Sequence, residues 1–216
     1  IGTYPFLFPL SPLDERIPLL MVSIGPKSME LAGRIADAVV LHTFMSDEAV
    51  ARSVASVRRS AEEAGRDPAA VRIWACTAVM DADAMDDETR LRKATYLQGY
   101  GDTLVEANGW DPALLAKFKA DPFVTGFGGA FDAVGTTDDL EYLAEKVIPA
   151  EWLAAHITGD ARSCAEQVRY QFGATGVDSI IMHGVNPDQL AGVVAEYRAV
   201  RSPDVPTLPS NPGWMS

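Results

Sequence analysis

The 216-residue chain is 48% hydrophobic and 22% charged, the balance of a soluble globular protein with room for a sizeable core. Its 30 Asp and Glu against 18 Lys and Arg leave a formal net charge of −12, which argues against nucleic acid or an anionic membrane as partner. No apolar run is long enough to span a bilayer, and Cys76 and Cys164 form neither a metal nor a redox pattern, so both are expected as buried free thiols of a reducing, cytoplasmic protein.

Residues 1–16 are Pro-rich and aromatic (Tyr4, Pro5, Phe6, Phe8, Pro9, Pro12) and read as an extended lead-in that packs on something. The chain opens at Ile1 without a visible signal peptide, as expected of a fragment or processed chain. Residues 17–22 are an apolar run without polar alternation, which predicts a parallel strand buried on both faces. Ser23-Ile24-Gly25-Pro26 breaks it. Gly25 permits a tight turn and close backbone approach, and Pro26 suits a first helical position, where no amide hydrogen is needed. Met29, Leu31, Ala32, Ile35 and Ala36 then form a helical stripe, and residues 37–42 re-enter the sheet, completing a βαβ unit. The free amides at this helix start would make an anion site beyond the strand's carboxyl end, although a purely structural turn fits the same residues.

Ser46 caps the next helix, with Asp47 and Glu48 in its first turn and Val50, Val54, Val57 and Ala61 on its buried stripe. Gly65-Arg66-Asp67-Pro68 stops it, and residues 71–79 are the most β-prone stretch of the chain. A long helix is predicted from Met85 to about Ala107, ended by Asn108-Gly109, and Asp111-Pro112 opens another. Gly126-Phe127-Gly128-Gly129 resembles a phosphate cradle only superficially, since it follows no strand and opens no clean helix. Further helices start at Thr137 and Pro149. Residues 85–155 are too long for a plain strand–helix connection and read as a helical insertion, of the sort that forms lids or substrate walls. Residues 154–158 are a doubtful strand, 161–172 a helix, 177–182 the last clear strand and 189–200 the final helix behind Asn186-Pro187-Asp188. The domain is thus bounded at 17–201, and 202–216, with four prolines, form a loose or wrapping tail.

Alternation of strands 17–22, 38–42, 71–79 and 177–182 with helices demands an α/β fold with a parallel sheet, its strands adjacent in that order. Four such units would leave two apolar sheet edges to be covered.

Ser23-Ile24-Gly25-Pro26-Lys27, followed by Leu31-Ala32-Gly33 and Ile35-Ala36-Asp37-Ala38-Val39-Val40, resembles the second half of the bacterial luciferase-like monooxygenase family, and within it the branch using the deazaflavin coenzyme F420. The likeness continues through 71–80 and the Gly159…Gly176-Val177-Asp178 segment. It implies a TIM barrel of which this chain holds about half, the last four strands with the helical insertion. It also implies a cytoplasmic oxidoreductase moving a hydride between F420, or alternatively FMN, and a small-molecule substrate. The expected partners are a second copy of the chain or a missing amino-terminal half of the barrel. Family residues near the reactive ring come substantially from that first half, so a non-catalytic flavin-binding or scaffold protein with a shortened barrel is the competing reading, and an FMN-dependent monooxygenase a further one.

Ligands gather at the carboxyl ends of parallel strands. The resemblance places the cofactor's phosphate-bearing tail against Ser23, Ile24, Gly25 and Pro26, with Gly25 foremost and Lys27 a lesser contributor. His42, at a strand end, is the candidate acid or base, because imidazole titrates near neutrality, with a structural histidine as the alternative. His156 and His183 are weaker candidates. Tyr96, Trp74 and Trp110 could stack on a flavin-like ring or simply fill the core.

Overall fold

In the computed structural model, which describes residues 17–94, 101–183 and 185–201, all strand pairing is parallel. The chain runs β1 (Leu20–Ser23), α1 (Pro26–Ile35), β2 (Ala38–Leu41), α2 (Asp47–Glu63), β3 (Arg72–Asp81), then a helical excursion, β4 (Ile157–Gly159), α10 (Ala161–Thr175), β5 (Ser179–His183) and α11 (Pro187–Val200). The excursion comprises α3 (Asp87–Ala94), α4 (Gly101–Asn108), α5 (Pro112–Ala120), α6 (Pro122–Gly126), α7 (Phe131–Val134), α8 (Thr137–Tyr142) and α9 (Ala150–Leu153). Strand β2 lies between β1 and β3, and β5 pairs with β3 through Trp74↔Ser179 to Ala78↔His183. The order expected for the four main strands is the order found. The short β4 extends the sheet only at the far end of β3, where Val79, Met80 and Asp81 face Ile157, Thr158 and Gly159.

The first strand starts later than the apolar run suggested. Asp37 sets its beginning: the Leu19 amide donates to the Asp37 carboxylate at 2.8 Å, and the Leu19 carbonyl accepts from the amides of Asp37 and Ala38. Nor is β1 buried on both faces. Ser23 is buried toward the helices, but Leu20 and Val22 keep 53% and 68% of their surface exposed. The physical reason is coverage: α1 and α2 overlie one side of the sheet, and nothing described overlies the other at this edge.

On the covered side, Val39, Leu41, Ile73 and Ala75 meet Met29 and Ala32 of α1 and Val50, Val54 and Val57 of α2 in one continuous core. Gly33 lets α1 and α2 touch, since a Cβ there would drive into the Val57 carbonyl oxygen and come within 2.8 Å of the Ser60 Cβ. Arg66 finishes α1 by donating to the carbonyls of Gly33 and Ala36. Asp178 locks β3 to β5, accepting from the Ile73 amide at 2.7 Å and from the Arg58 guanidinium at 3.2 Å. A second cluster, with Val79, Ile157, Cys164, Val168 and Val193, joins α10 and α11 to the sheet.

Within the predicted helix over 85–107 the described residues form α3 and α4; residues 95–100 between them, including Tyr96, lie outside the described residues, as do the lead-in 1–16 and the tail 202–216. Leu104, Phe118, Phe131, Leu140 and Trp152 fold the excursion onto the main core. Gly126 ends α6, whose Asp121 caps the Phe123 amide, and Phe127-Gly128-Gly129 follow it in irregular structure leading to α7, with no strand before them.

Candidate active site

The site candidates meet at the carboxyl rim of the sheet. Register pairs Ser23 with Leu41, so the turn beginning at Ile24 and His42 emerge side by side from neighbouring strands, about one inter-strand spacing apart. The structure therefore brings the Ser23–Pro26 turn and His42 together.

Within the turn the residues differ in role. Ser23 faces the helix layer, buried, with its hydroxyl 3.5 Å from the Ser28 carbonyl oxygen. Gly25 is the N-cap of α1 at φ −90° and ψ 160°, ordinary extended backbone, so the turn does not need glycine for its conformation. What distinguishes Gly25 is space: a Cβ built there meets nothing within 4 Å. Its carbonyl accepts from the Met29 amide and from the Ser28 hydroxyl, while no side chain caps the first amides of α1. Pro26 occupies the first helical position, no acid lies in the first turn, and Lys27 follows. By contrast, Ser46, Asp111 and Asp160 cap α2, α5 and α10 with their own oxygens. An uncapped, acid-free helix start opening onto free space suits an anion. The residues present therefore fit the phosphate-bearing tail of a flavin-like cofactor.

Strand alternation buries Val39 and Leu41 toward the helices, and His42 follows directly on the end of β2, half-buried. Its Nδ1 lies 2.8 Å from the Thr43 carbonyl oxygen. Thr43 in turn places its hydroxyl 3.1 Å from the Cys76 sulfur, and burial pushes the Cys76 thiol above its ordinary range.

The next residue carries a feature that local sequence rules do not announce. Phe44 is buried at φ +64°, a left-handed conformation that a bulky side chain adopts only under constraint. The constraint comes from Asn108, 64 residues away, whose amide donates to the Phe44 carbonyl at 3.1 Å. The Asn108 side-chain oxygen Oδ1 accepts from the Ser46 amide at 2.7 Å. Sequence reasoning took Asn108-Gly109 only as a helix stop. The signal that could have separated the two roles, an Asn whose side chain turns back to a distant turn, lies in no local pattern.

The weaker candidates scatter. His183 ends β5 at the exposed rim. His156 is buried beside Phe44, ring centroids 5.0 Å apart and nearly perpendicular. Burial lowers its pKa to about 4, opposed weakly by the nearby Leu153 carbonyl, so the ring is neutral at physiological pH. Trp110 stacks on Trp152 at 5.8 Å and belongs to the core. Trp74 sits on β3 in register with Val40, with its buried indole nitrogen unpartnered. Cys164 is inert packing, its thiol pushed up to about 11, chiefly by burial.

Comparison with known proteins now gives this rim a context. The luciferase-like monooxygenase family matches residues 2–199. A 5,10-methylenetetrahydromethanopterin reductase of Methanolobus tindarius is 33% identical over 142 residues, which are 58% of this chain and 43% of that protein. Among solved structures, the coenzyme F420 dependent tetrahydromethanopterin reductase of Methanopyrus kandleri superposes with a TM-score of 0.57 at 22% identity, covering 84% of this chain and 48% of that one. An F420-dependent secondary alcohol dehydrogenase, in complex with an F420-acetone adduct, gives a TM-score of 0.51 at 17% identity, covering 90% and 50%. The chain thus spans about half the length of these relatives. With a parallel sheet flanked by helices and a family match over nearly its whole length, the chain belongs to the luciferase-like monooxygenase family.

Proposed function

We propose that the chain forms the cofactor-tail side of an oxidoreductase that moves a hydride between coenzyme F420 and a small organic substrate. The observation that carries this reading is the α1 start: an open turn at Gly25, uncapped amides and no acid, next to His42 on the same rim. The F420-dependent reductase of Methanopyrus kandleri and the F420-dependent secondary alcohol dehydrogenase, both similar in fold to this chain, support the deazaflavin over FMN. When bound, the deazaflavin would supply the hydride chemistry. The chain's own part is to hold the phosphate-bearing tail with the amides of Ile24, Gly25 and the first turn of α1, and to orient the ring toward the strand ends. His42, whose Nδ1 lies against the Thr43 carbonyl oxygen, is the chain's own candidate acid or base at this rim. The remaining strands of the barrel, from a longer polypeptide or a second copy, would complete the reactive face.

The test is a fluorescence titration with F420 and with FMN, on the polypeptide carrying the complete barrel. Gly25→Val keeps an allowed backbone, and its Cβ meets nothing within 4 Å, so the fold should tolerate it. Its side chain would stand between backbone and phosphate and should weaken F420 binding about tenfold or more, on the order of 1.4 kcal/mol. Lys27→Ala should do less, because a solvated lysine is easily replaced by water. Equal binding by wild type and Gly25→Val, with a loss for Lys27→Ala, would show a side-chain site instead. Failure of both cofactors to bind would end the oxidoreductase reading.

A further inference from the structure

Asn108, the last residue of α4, is buried, and its whole side-chain amide is engaged. Nδ2 donates to the Phe44 carbonyl at 3.1 Å and to the Leu104 carbonyl, one turn back, at 2.9 Å, while Oδ1 accepts from the Ser46 amide at 2.7 Å. Carbonyls only accept and backbone amides only donate, so this set of partners admits one orientation of the side chain. The helix end that carries it is secured from α2. Arg52 donates to the carbonyls of Ala107 and Asn108, at 3.1 Å each.

Two of the three bonds go to the loop that leaves β2, one on each side of Met45. They hold Phe44 at φ +64°, a conformation that a bulky residue abandons when it is released. The Phe44 ring is held as well, buried and nearly perpendicular to the His156 ring, with centroids 5.0 Å apart. Because the peptide unit is planar, fixing φ at Phe44 fixes the plane that carries the Thr43 carbonyl. Thr43 is anchored a second time through its hydroxyl, 3.1 Å from the Cys76 sulfur on β3. The Thr43 carbonyl oxygen is the atom that His42 Nδ1 meets, at 2.8 Å.

We propose that Asn108 is a positioning residue for His42. By holding Phe44 left-handed, it aims the Thr43 carbonyl at the imidazole and so fixes which ring nitrogen carries the proton. A carbonyl can only accept, so the contact draws the proton of the neutral ring to Nδ1 and leaves the lone pair on Nε2. The helical excursion thereby acts on the rim: a residue 66 positions after His42 in the chain sets the state of that ring. The importance of this for chemistry rests on the reading of His42 as the acid or base. The relay itself is a property of the fold and is measured without cofactor.

The test is nitrogen-15 NMR on the polypeptide carrying the complete barrel, labelled at histidine, at about pH 8.5, where an ordinary imidazole is neutral. His42→Gln identifies the His42 signals by their loss. Wild-type His42 is expected to carry its proton on Nδ1, which is the minor form of a free imidazole. Asn108→Ala should lower the ratio of Nδ1–H to Nε2–H about fivefold, the effect of losing one neutral hydrogen bond. Arg52→Met, which loosens the same helix end from the surface, should act in the same direction but less, and it decides the matter if Asn108→Ala does not fold. Thr136→Ala removes the cap of α8 instead and should leave the ratio unchanged, a control for lost stability alone. The proposal is overturned if wild-type His42 carries its proton on Nε2, if neither Asn108→Ala nor Arg52→Met moves the ratio, or if Thr136→Ala moves it as far. Failure of F420 to bind would end the oxidoreductase reading and leave this ratio, and the relay it reports, untouched.

Discussion

At the scale of single residues, His156 makes the folded chain sensitive to acid. Its pKa is about 4 in the folded state, lowered by burial, against 6.5 for a free imidazole. Between those values the unfolded chain binds a proton that the folded chain refuses, so stability falls as pH drops through that window. The full difference is on the order of 3 kcal/mol, complete near pH 4 and absent above about pH 7.5. Carboxylates add their own acid dependence, so the measurement is the difference between wild type and His156→Phe in urea denaturation at pH 4.5 and pH 7.5. The variant should lose much less stability on acidification; equal losses would mean that the ring charges freely in the folded state. None of this was legible in the sequence, where His156 was one of three histidines with no distinguishing neighbour. Its state is set by Phe44, more than a hundred positions away, and by a left-handed turn that Asn108 holds. Ser46, by contrast, could be read as a cap from its own neighbourhood, because capping is local chemistry.

Elements obey the same division. The main strands and the helices between them follow from periodicity and punctuation, while the short helices α6 and α7 lie where the sequence shows only a loose stretch. The contacts between elements do not follow from such signals. In the sequence Gly33 stood out only as part of the family-like Leu31-Ala32-Gly33 run, yet it is the point at which α1 rests on the backbone of α2. Gly33→Ala tests which of two opposing effects wins. Alanine favours the helix by about 1 kcal/mol over glycine, while forcing a methyl into a packed contact costs about 1–3 kcal/mol. The obstructing atoms are the Val57 carbonyl and Ser60 Cβ, which are fixed to the α2 backbone and cannot swing away. A net loss of roughly 1–2 kcal/mol in urea midpoint analysis is therefore expected. A gain in stability would show that α1 can slide on α2 without loss. Asp178 makes a similar point: the sequence offered it as part of a family-like segment, and the structure shows it as the clasp between β3 and β5.

For the molecule as a whole, strand order followed from alternation, but coverage did not, since a lone sequence does not say what lies against the second face of a sheet. On that face, Leu20 and Val22 pair in register with Ala38 and Val40, and they remain more than half exposed. Leu31 and Ile35 of α1 are exposed as well, which adds apolar surface on the helix layer. An open strand edge with apolar side chains recruits other chains. The isolated 216-residue chain is accordingly expected to associate with itself in sedimentation velocity at micromolar concentrations. Leu20→Lys combined with Val22→Lys should shift it toward monomer, since both positions face solvent and two like charges oppose edge pairing. The same pair of substitutions has the reverse meaning in a polypeptide carrying the complete barrel. There Leu20 and Val22 would lie inside, and burying two ammonium groups would unfold or strongly destabilise the protein. Opposite effects in the two settings would identify this edge as a seam of the barrel. A compact wild-type monomer of the 216-residue chain, or a complete barrel indifferent to the two lysines, would show that the edge is a true surface.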